Sequence, residues 1–414
     1  MSEPVLQSQG GIFQLTWRDE MVTATIRRIR EEKSGVFGEL TITSQNPGFQ
    51  PHLHGPVQFN LTSTTTRRAL AAHLIDLNSN NWTGLLEQCC KIIVEEHRLG
   101  EPIVHIADHE PSDAVAMRVA PILQMRNSAV LFGEGDSLKS FFATWVSVIT
   151  RIGKPQAGLI PEPTPGILYL DWETDVDTFW ARVNMIAAGL GLPIPEGIYY
   201  RPMTQRLVDE MEALSEFTMN HEIGLVIVDS AAPATLEPEK AEQVVPFFAS
   251  LRKLATTVIV IAHVTKASRG QADYPFGSTM WRNLARSNYQ IKADRSHDSS
   301  VSISLRMTKS NNSRRLPPLG FRFNFTDDEL VVTAAEPMDY PDLAQDVGLT
   351  VRIRRLLEDG SLTTKEIQEG VHAMEGENKT ALNTISSTLS RGAKTGQFVR
   401  IGNEYGNPHQ TIIR

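Results

Sequence analysis

From Phe13 to Leu61 apolar and polar positions alternate in short runs: Phe13, Leu15 and Trp17, then Val22, Ala24 and Ile26, then Leu40 and Ile42, then Val57, Phe59 and Leu61. A strand turns successive side chains to opposite faces, so these runs predict half-buried β-strands separated by polar turns. The period then changes. Leu70, Leu74 and Leu77, followed by Leu85, Cys89, Ile92 and Ile93, recur at helical spacing. Together they predict an α+β accessory domain over residues 1–108.

Further on the apolar runs are continuous. Leu168-Tyr-Leu-Asp-Trp-Glu173, Leu225-Val-Ile-Val-Asp-Ser230 and Val258-Ile-Val-Ile-Ala-His-Val-Thr-Lys266 each end in polar residues. Such runs predict strands covered on both faces, as in a parallel sheet. In an open parallel sheet the ligand crevice lies beyond the carboxyl ends of the strands, so Glu173, Asp229 and His263 are expected to converge there. Val301-Ser-Ile-Ser-Leu-Arg-Met-Thr308 alternates again and closes on Lys309. The expected fold is α/β, with a mainly parallel sheet over residues 109–336. A linker at 337–344 and a winged helix-turn-helix domain at 345–414 follow. The last rests on three short helical segments, Val351–Leu357, Thr364–Gly370 and Lys379–Arg391, before a hairpin-like Phe398–Tyr405.

The chemistry lies in Leu131-Phe-Gly-Glu-Gly-Asp-Ser-Leu-Lys-Ser140. A buried strand turning sharply into a helix aims backbone N–H groups and the positive helix end at the phosphates of a nucleotide. Gly133, Gly135, Asp136, Ser137 and Leu138 form that loop, Lys139 adds a positive charge, and Ser140 with Asp229 would hold Mg²⁺. Glu173 suits a base that orients the attacking water. Leu138 stands where the usual G-x-x-x-x-G-K-[ST] pattern has its last glycine. A side chain there forbids the positive-φ conformations a glycine would allow, so the loop is expected to close differently.

These motifs, with the runs IYYRPM at Ile198 to Met203, PFGSTMWRNLAR from Pro275 to Arg286 and KSNNSRRLPPLGFRF from Lys309 to Phe323, resemble the RecA-like ring ATPases. Within these the chain is similar to phage, plasmid and bacterial proteins related to the RepA replicative helicases, over roughly residues 115 to 330. The resemblance implies ATP as cofactor and a homo-oligomeric ring. It makes Asp229 the Walker B acid, His263 the γ-phosphate sensor and Lys309 a trans finger reaching a neighbour's nucleotide. It also turns the loop Thr265–Pro275 toward a central channel, with Lys266 and Arg269 touching single-stranded DNA. Arg282 and Arg286, at i,i+4 on a helix opening at Ser278, are expected to share a face. In the C-terminal segment Lys379, Arg391 and Lys394 are candidate duplex contacts. Two functions fit: an ATP-driven DNA motor or helicase-like ATPase, and a nucleotide-dependent binding switch that does not unwind.

The net charge of −8 over 414 residues excludes wholesale electrostatic capture of nucleic acid, so any DNA contact must be local. With 41% hydrophobic and 21% charged residues the chain is long enough for two or three domains. Its two cysteines, Cys89 and Cys90, are adjacent and poorly placed to bridge, which suits a reducing compartment. With no long apolar run and no basic, apolar leader at the N-terminus, a cytoplasmic location away from membranes is expected.

Overall fold

The computed structural model describes residues 2–77, 79–100, 103, 105–108, 116–264, 275–297, 300–311, 314–375 and 379–408. They fall into two compact units, one made of Met1–Val115 with Leu207–His221 and Lys253–Ala255, the other of the remainder.

In the first unit β1 (Val5–Gln9), β2 (Ile12–Trp17), β3 (Val22–Glu32), β4 (Gly35–Ser44) and β5 (His52–Asn60) form an antiparallel sheet in sequential order. The alternation works because one face is covered: Val22, Ala24, Ile26, Leu40 and Ile42 are buried with residues of α1 (Thr64–Ile75) and α2 (Trp82–Leu99), among them Leu70, Leu74, Leu85, Cys89 and Ile93. Val57 departs from its expected face and is 52% exposed. The β4–β5 register shifts between Leu40 and Ile42, and in a strand a one-residue slip exchanges the faces.

The second unit opens with a small antiparallel sheet of β6 (Met117–Ala120), β7 (Leu123–Gln124) and, later in the chain, β9 (Ile160–Pro161). Its main elements are β8 (Ser128–Gly133), α3 (Lys139–Ile152), β10 (Gly166–Asp171), α4 (Val176–Gly189) and β11 (Ile198–Pro202). Next in the chain is α5 (Met211–Asn220), which packs in the first unit, where Glu216 pairs with Arg27 and Glu212 with Arg28. The second unit resumes with β12 (Ile223–Asp229), α6 (Ala231–Thr235), α7 (Ala241–Lys253), β13 (Thr257–His263), α8 (Met280–Leu284), β14 (Ser287–His297), β15 (Ser300–Ser310), β16 (Leu319–Phe325) and β17 (Leu330–Ala335).

These strands build a nine-stranded sheet in the order β11-β10-β12-β13-β8-β14-β15-β16-β17. From β11 to β14 every pairing is parallel, and β15, β16 and β17 return antiparallel. The fold is therefore α/β with a largely parallel central sheet. On one face α3 lays Phe142, Trp145, Val146 and Ile149 into the core, with Trp145 packed edge-on against Phe321 and Phe323. Burying aromatic side chains of this size is the largest single contribution to such a core.

Residues 337–344, expected as a linker, are folded: a 3₁₀ turn at Pro337–Asp339 precedes α9 (Pro341–Ala344). Just beyond, Asp346 accepts from Lys292 at 2.7 Å and from Ser304 at 2.8 Å, with Arg306 at 3.5 Å, so the segment is pinned to β14 and β15. The chain ends with α10 (Leu349–Leu356), β18 (Leu362–Thr363), α11 (Thr364–Met374), α12 (Leu382–Lys394), β19 (Val399–Ile401) and β20 (Glu404–Gly406), whose strands pair in the order β18-β20-β19. Ile353, Ile367, Val371, Ile385 and Leu389 form their shared core. No helix among the described residues is long and apolar enough to cross a membrane.

Candidate functional site

The loop between β8 and α3 closes with Leu138 at φ 60° and ψ 22°, the left-handed conformation a glycine would adopt there. The expected different closure is therefore corrected. Leucine enters that region at a cost of roughly 1–2 kcal/mol. Its side chain packs against the main core, which offsets part of the strain. Gly133 is required for another reason: a Cβ on it would lie 2.3 Å from the Ile291 carbonyl oxygen and 2.9 Å from Ser137 Oγ. Gly135 has open space around it, and Asp136 also takes a positive φ of 59°.

Lys139 is 5% exposed. Its Nζ donates to the carbonyls of Gly133 at 3.2 Å and Glu134 at 2.5 Å and to Ser137 Oγ at 3.2 Å. The ammonium thus lies folded onto the loop. Burial pushes its pKa down to about 8, against the upward pull of Asp229, Glu173, Asp136 and Glu134.

Asp229 ends β12 and is 3% exposed. Burial raises its pKa, opposed by hydrogen bonds from Tyr169 and Ser140. The Tyr169 hydroxyl donates to Oδ2 at 2.6 Å, whereas Oδ1 is buried with no hydrogen-bond partner among the described residues. An orphaned carboxylate oxygen beside a serine hydroxyl is a donor set that suits a hard divalent cation, so Ser140 and Asp229 fit Mg²⁺.

Glu173 lies two residues beyond β10 on a turn built by Asp171. That carboxylate is 1% exposed and accepts from the Glu173 N–H at 2.8 Å, the Thr174 N–H at 3.0 Å and the Thr174 hydroxyl at 2.5 Å. Asp175 instead caps α4, accepting from Thr178 N–H at 2.8 Å. Glu173 is left to face the site. Its Oε1 accepts from Ser230 Oγ at 2.5 Å and lies 3.5 Å from His263 Nε2, the side chains of His263 and Glu173 being 44% and 42% exposed. The hydrogen bond to His263 is the main cause of a lowered Glu173 pKa.

Lys139, Ser140, Glu173, Asp229 and His263 are thus brought together at the carboxyl ends of β8, β10, β12 and β13. Lys309 is not among them. It pairs in register with Asn288, near the amino end of β14, and its Nζ donates to the carbonyls of Arg282, Asn283 and Ala285, capping α8. The expected Arg282 and Arg286 face is corrected as well: Ala285 turns extended with ψ 144°, so α8 ends at Leu284 and Arg286 lies outside it. Lys266 and Arg269 lie outside the described residues. Lys379 donates to the carbonyls of His372 and Glu375 and so closes the end of α11, while Arg391 and Lys394 stand exposed in the last turn of α12.

Sequence reasoning did not assign Tyr169, Asp171 or Ser230. Tyr169 was findable as the lone hydroxyl-bearing side chain in the otherwise aliphatic Ile167–Leu170 run of β10, next to the strand that carries Asp229. Ser230 follows the acid directly.

Residues 98–269 match the family model described as an AAA domain, a span that holds the loop, Glu173, Asp229 and His263. No curated protein matches the chain. Among solved structures it is similar to a KaiC-like protein from the hyperthermophilic archaeon Pyrococcus horikoshii, at 12% identity over 52% of this chain and 93% of that one, with a TM-score of 0.38. The matched span contains the phosphate loop, and the family match and the loop geometry both fit a nucleotide-binding ATPase-type domain.

Proposed function

We propose that the chain is an ATP-hydrolysing DNA motor or DNA-loading ATPase. The observation that carries the reading is the convergence of Lys139, Asp229, Glu173 and His263 on one phosphate loop. ATP with Mg²⁺ supplies the phosphoanhydride bond to be broken and the charge that must be neutralised. Lys139 would exchange the carbonyls of Gly133 and Glu134 for phosphate oxygens, while Ser140 and Asp229 Oδ1 would hold the cation. Glu173, ionised and fixed by the Asp171 turn and Ser230, accepts a hydrogen bond from the attacking water and aims it in line. Because its pKa is lowered, its main contribution is orientation rather than complete proton removal. His263, beside it on β13, reports the γ-phosphate to the chain beyond that strand.

Residues 345–414 act as a winged helix on duplex DNA. The exposed surface of α12 offers Asn383, Ser386, Ser387, Ser390, Arg391 and Lys394, side chains that suit phosphates and base edges. One observation favours a binding switch without unwinding: the Lys309 ammonium, expected as a trans finger, caps α8 within its own chain. Phosphate release from ATP with and without single-stranded DNA separates the two. A motor speeds up with DNA. A switch keeps a slow rate that DNA leaves unchanged, while duplex binding depends on ATP. Truncation after Val347 keeps Asp346 and should leave basal hydrolysis intact while duplex affinity falls. Unchanged duplex affinity and salt dependence would make the C-terminal segment a protein-docking element.

A further inference from the structure

At the amino ends of β8, β13 and β14 a cavity of about 150 Å³ is lined by Arg126, Arg252 and Arg286 around Thr256, with Phe248 and Leu251 as an apolar wall. No acidic residue lines it. Several arginines elsewhere pair with carboxylates: Arg28 with Glu39 and Glu212, Arg67 with Glu87, and Arg98 with Glu31. With 48 acidic against 40 basic residues, carboxylates are plentiful. Yet the side chains of Arg126, Arg252 and Arg286 make no ion pair or hydrogen bond among the described residues.

The backbone holds two of them in place. Arg126 adopts φ 56°, strained for a residue with a side chain, and its N–H donates to Thr257 Oγ1 at 3.1 Å. The N–H of Arg286 donates to the Ser128 carbonyl at 3.1 Å, which fixes it at the first residue of β8. Gly133, where the phosphate loop begins, is the last residue of that strand. At the rise of an extended strand this separates cavity and nucleotide site by about 17 Å.

We propose that this cavity is a second anion site that takes one terminal phosphate group. Three permanently charged guanidinium groups repel one another around a small space, and a dianion relieves that repulsion more fully than a single carboxylate or a phosphodiester does. Their planar forks bind phosphate oxygens in pairs, and the Thr256 side chain lies in the same lining. The volume is well below the several hundred Å³ of a pocket that encloses a whole nucleotide, so the group is either free phosphate or the phosphorylated end of a larger molecule such as a nucleic-acid strand.

The test compares the full chain with the combined variant Arg126→Gln, Arg252→Gln and Arg286→Gln, all exposed positions where substitution leaves the core intact. The phosphate loop is unchanged in both, so any difference belongs to the cavity. Inorganic phosphate should raise the melting temperature of the full chain beyond chloride at matched ionic strength, and the variant should lose most of that increase. A 5′-phosphorylated single-stranded oligonucleotide that binds the full chain about tenfold more tightly than its 5′-hydroxyl counterpart, with the preference lost in the variant, identifies a strand end as the source. A phosphate response without that preference identifies free phosphate. Equal phosphate responses in the two proteins, with no 5′-phosphate preference, overturn the proposal. It also fails if the substitutions alter only the concentration dependence of the molecular mass, because the arginines then pair with carboxylates of a second copy.

Discussion

At the scale of single residues the loop is set by two side chains in unfavourable states. Leu138 occupies a left-handed conformation, and a β-branched residue would be excluded from it more strongly than leucine is. Leu138→Gly should therefore keep ATP affinity within about threefold, while Leu138→Val should lose tenfold or more by calorimetric titration, a gap on the scale of the ~1–2 kcal/mol strain. Equal affinities in the two variants would mean that the backbone angle does not govern phosphate binding. Lys139 supplies the second case, its pKa lowered by burial to about 8. As pH rises through 8 the free protein loses this proton, so ATP affinity should decline, and binding near that pH should take up a proton as the phosphates restore the charge. Titration in buffers of different ionisation enthalpy measures that uptake. In the absence of nucleotide the sign for folding is opposite. Between about 8 and the ordinary 10.5 the unfolded chain holds the proton more tightly, so this group's contribution to stability rises with pH.

At the scale of elements, patterning revealed what burial and local chemistry dictate and missed what long-range pairing dictates. The strands ending at Asp171, Asp229 and His263 were legible because a sheet covered on both faces demands continuous apolar runs. Their convergence followed from the parallel order. Asp346 was not legible, because nothing local marks an acid whose partners Lys292, Ser304 and Arg306 lie 40 to 54 positions earlier on β14 and β15. Arg352 likewise reads as a solvated position in Val351-Arg-Ile-Arg-Arg355, yet it is 4% exposed and paired with the buried Glu375 side chain. The Asp346 side chain is 2% exposed, and removing one partner of a buried pair strands the other charges. Asp346→Ala should cost about 3 kcal/mol where the segment docks. The C-terminal helices should then become sensitive to limited proteolysis while the central sheet stays protected. Unchanged cleavage kinetics would show that the apolar contacts of α9 suffice without the acid.

At the scale of the molecule, an acidic chain carries a phosphate loop whose lysine is held by burial at a pKa of about 8, below the ordinary lysine value. The division of labour follows. On the proposed reading, nucleotide binds at the carboxyl ends of the parallel strands, and the exposed basic side chains of α12 and of the cavity at the opposite strand ends are left for other anions. The candidate site was readable to the extent that its residues sit at strand ends, whereas Lys309, at the far end of β15, is claimed by a neighbouring helix that its own segment does not reveal. Everything rests on Glu173 facing the γ-phosphate, since Asp171 and Asp175 are committed to a turn and a cap. The most direct test is phosphate release from Mg·ATP by the full chain beside Glu173→Gln, with ATP binding measured on the same samples. The parent should hydrolyse ATP, and the variant should bind it with similar affinity while turning over about 10² to 10⁴ times more slowly. A parent that binds without releasing phosphate, or a variant that matches the parent's turnover, would contradict the account.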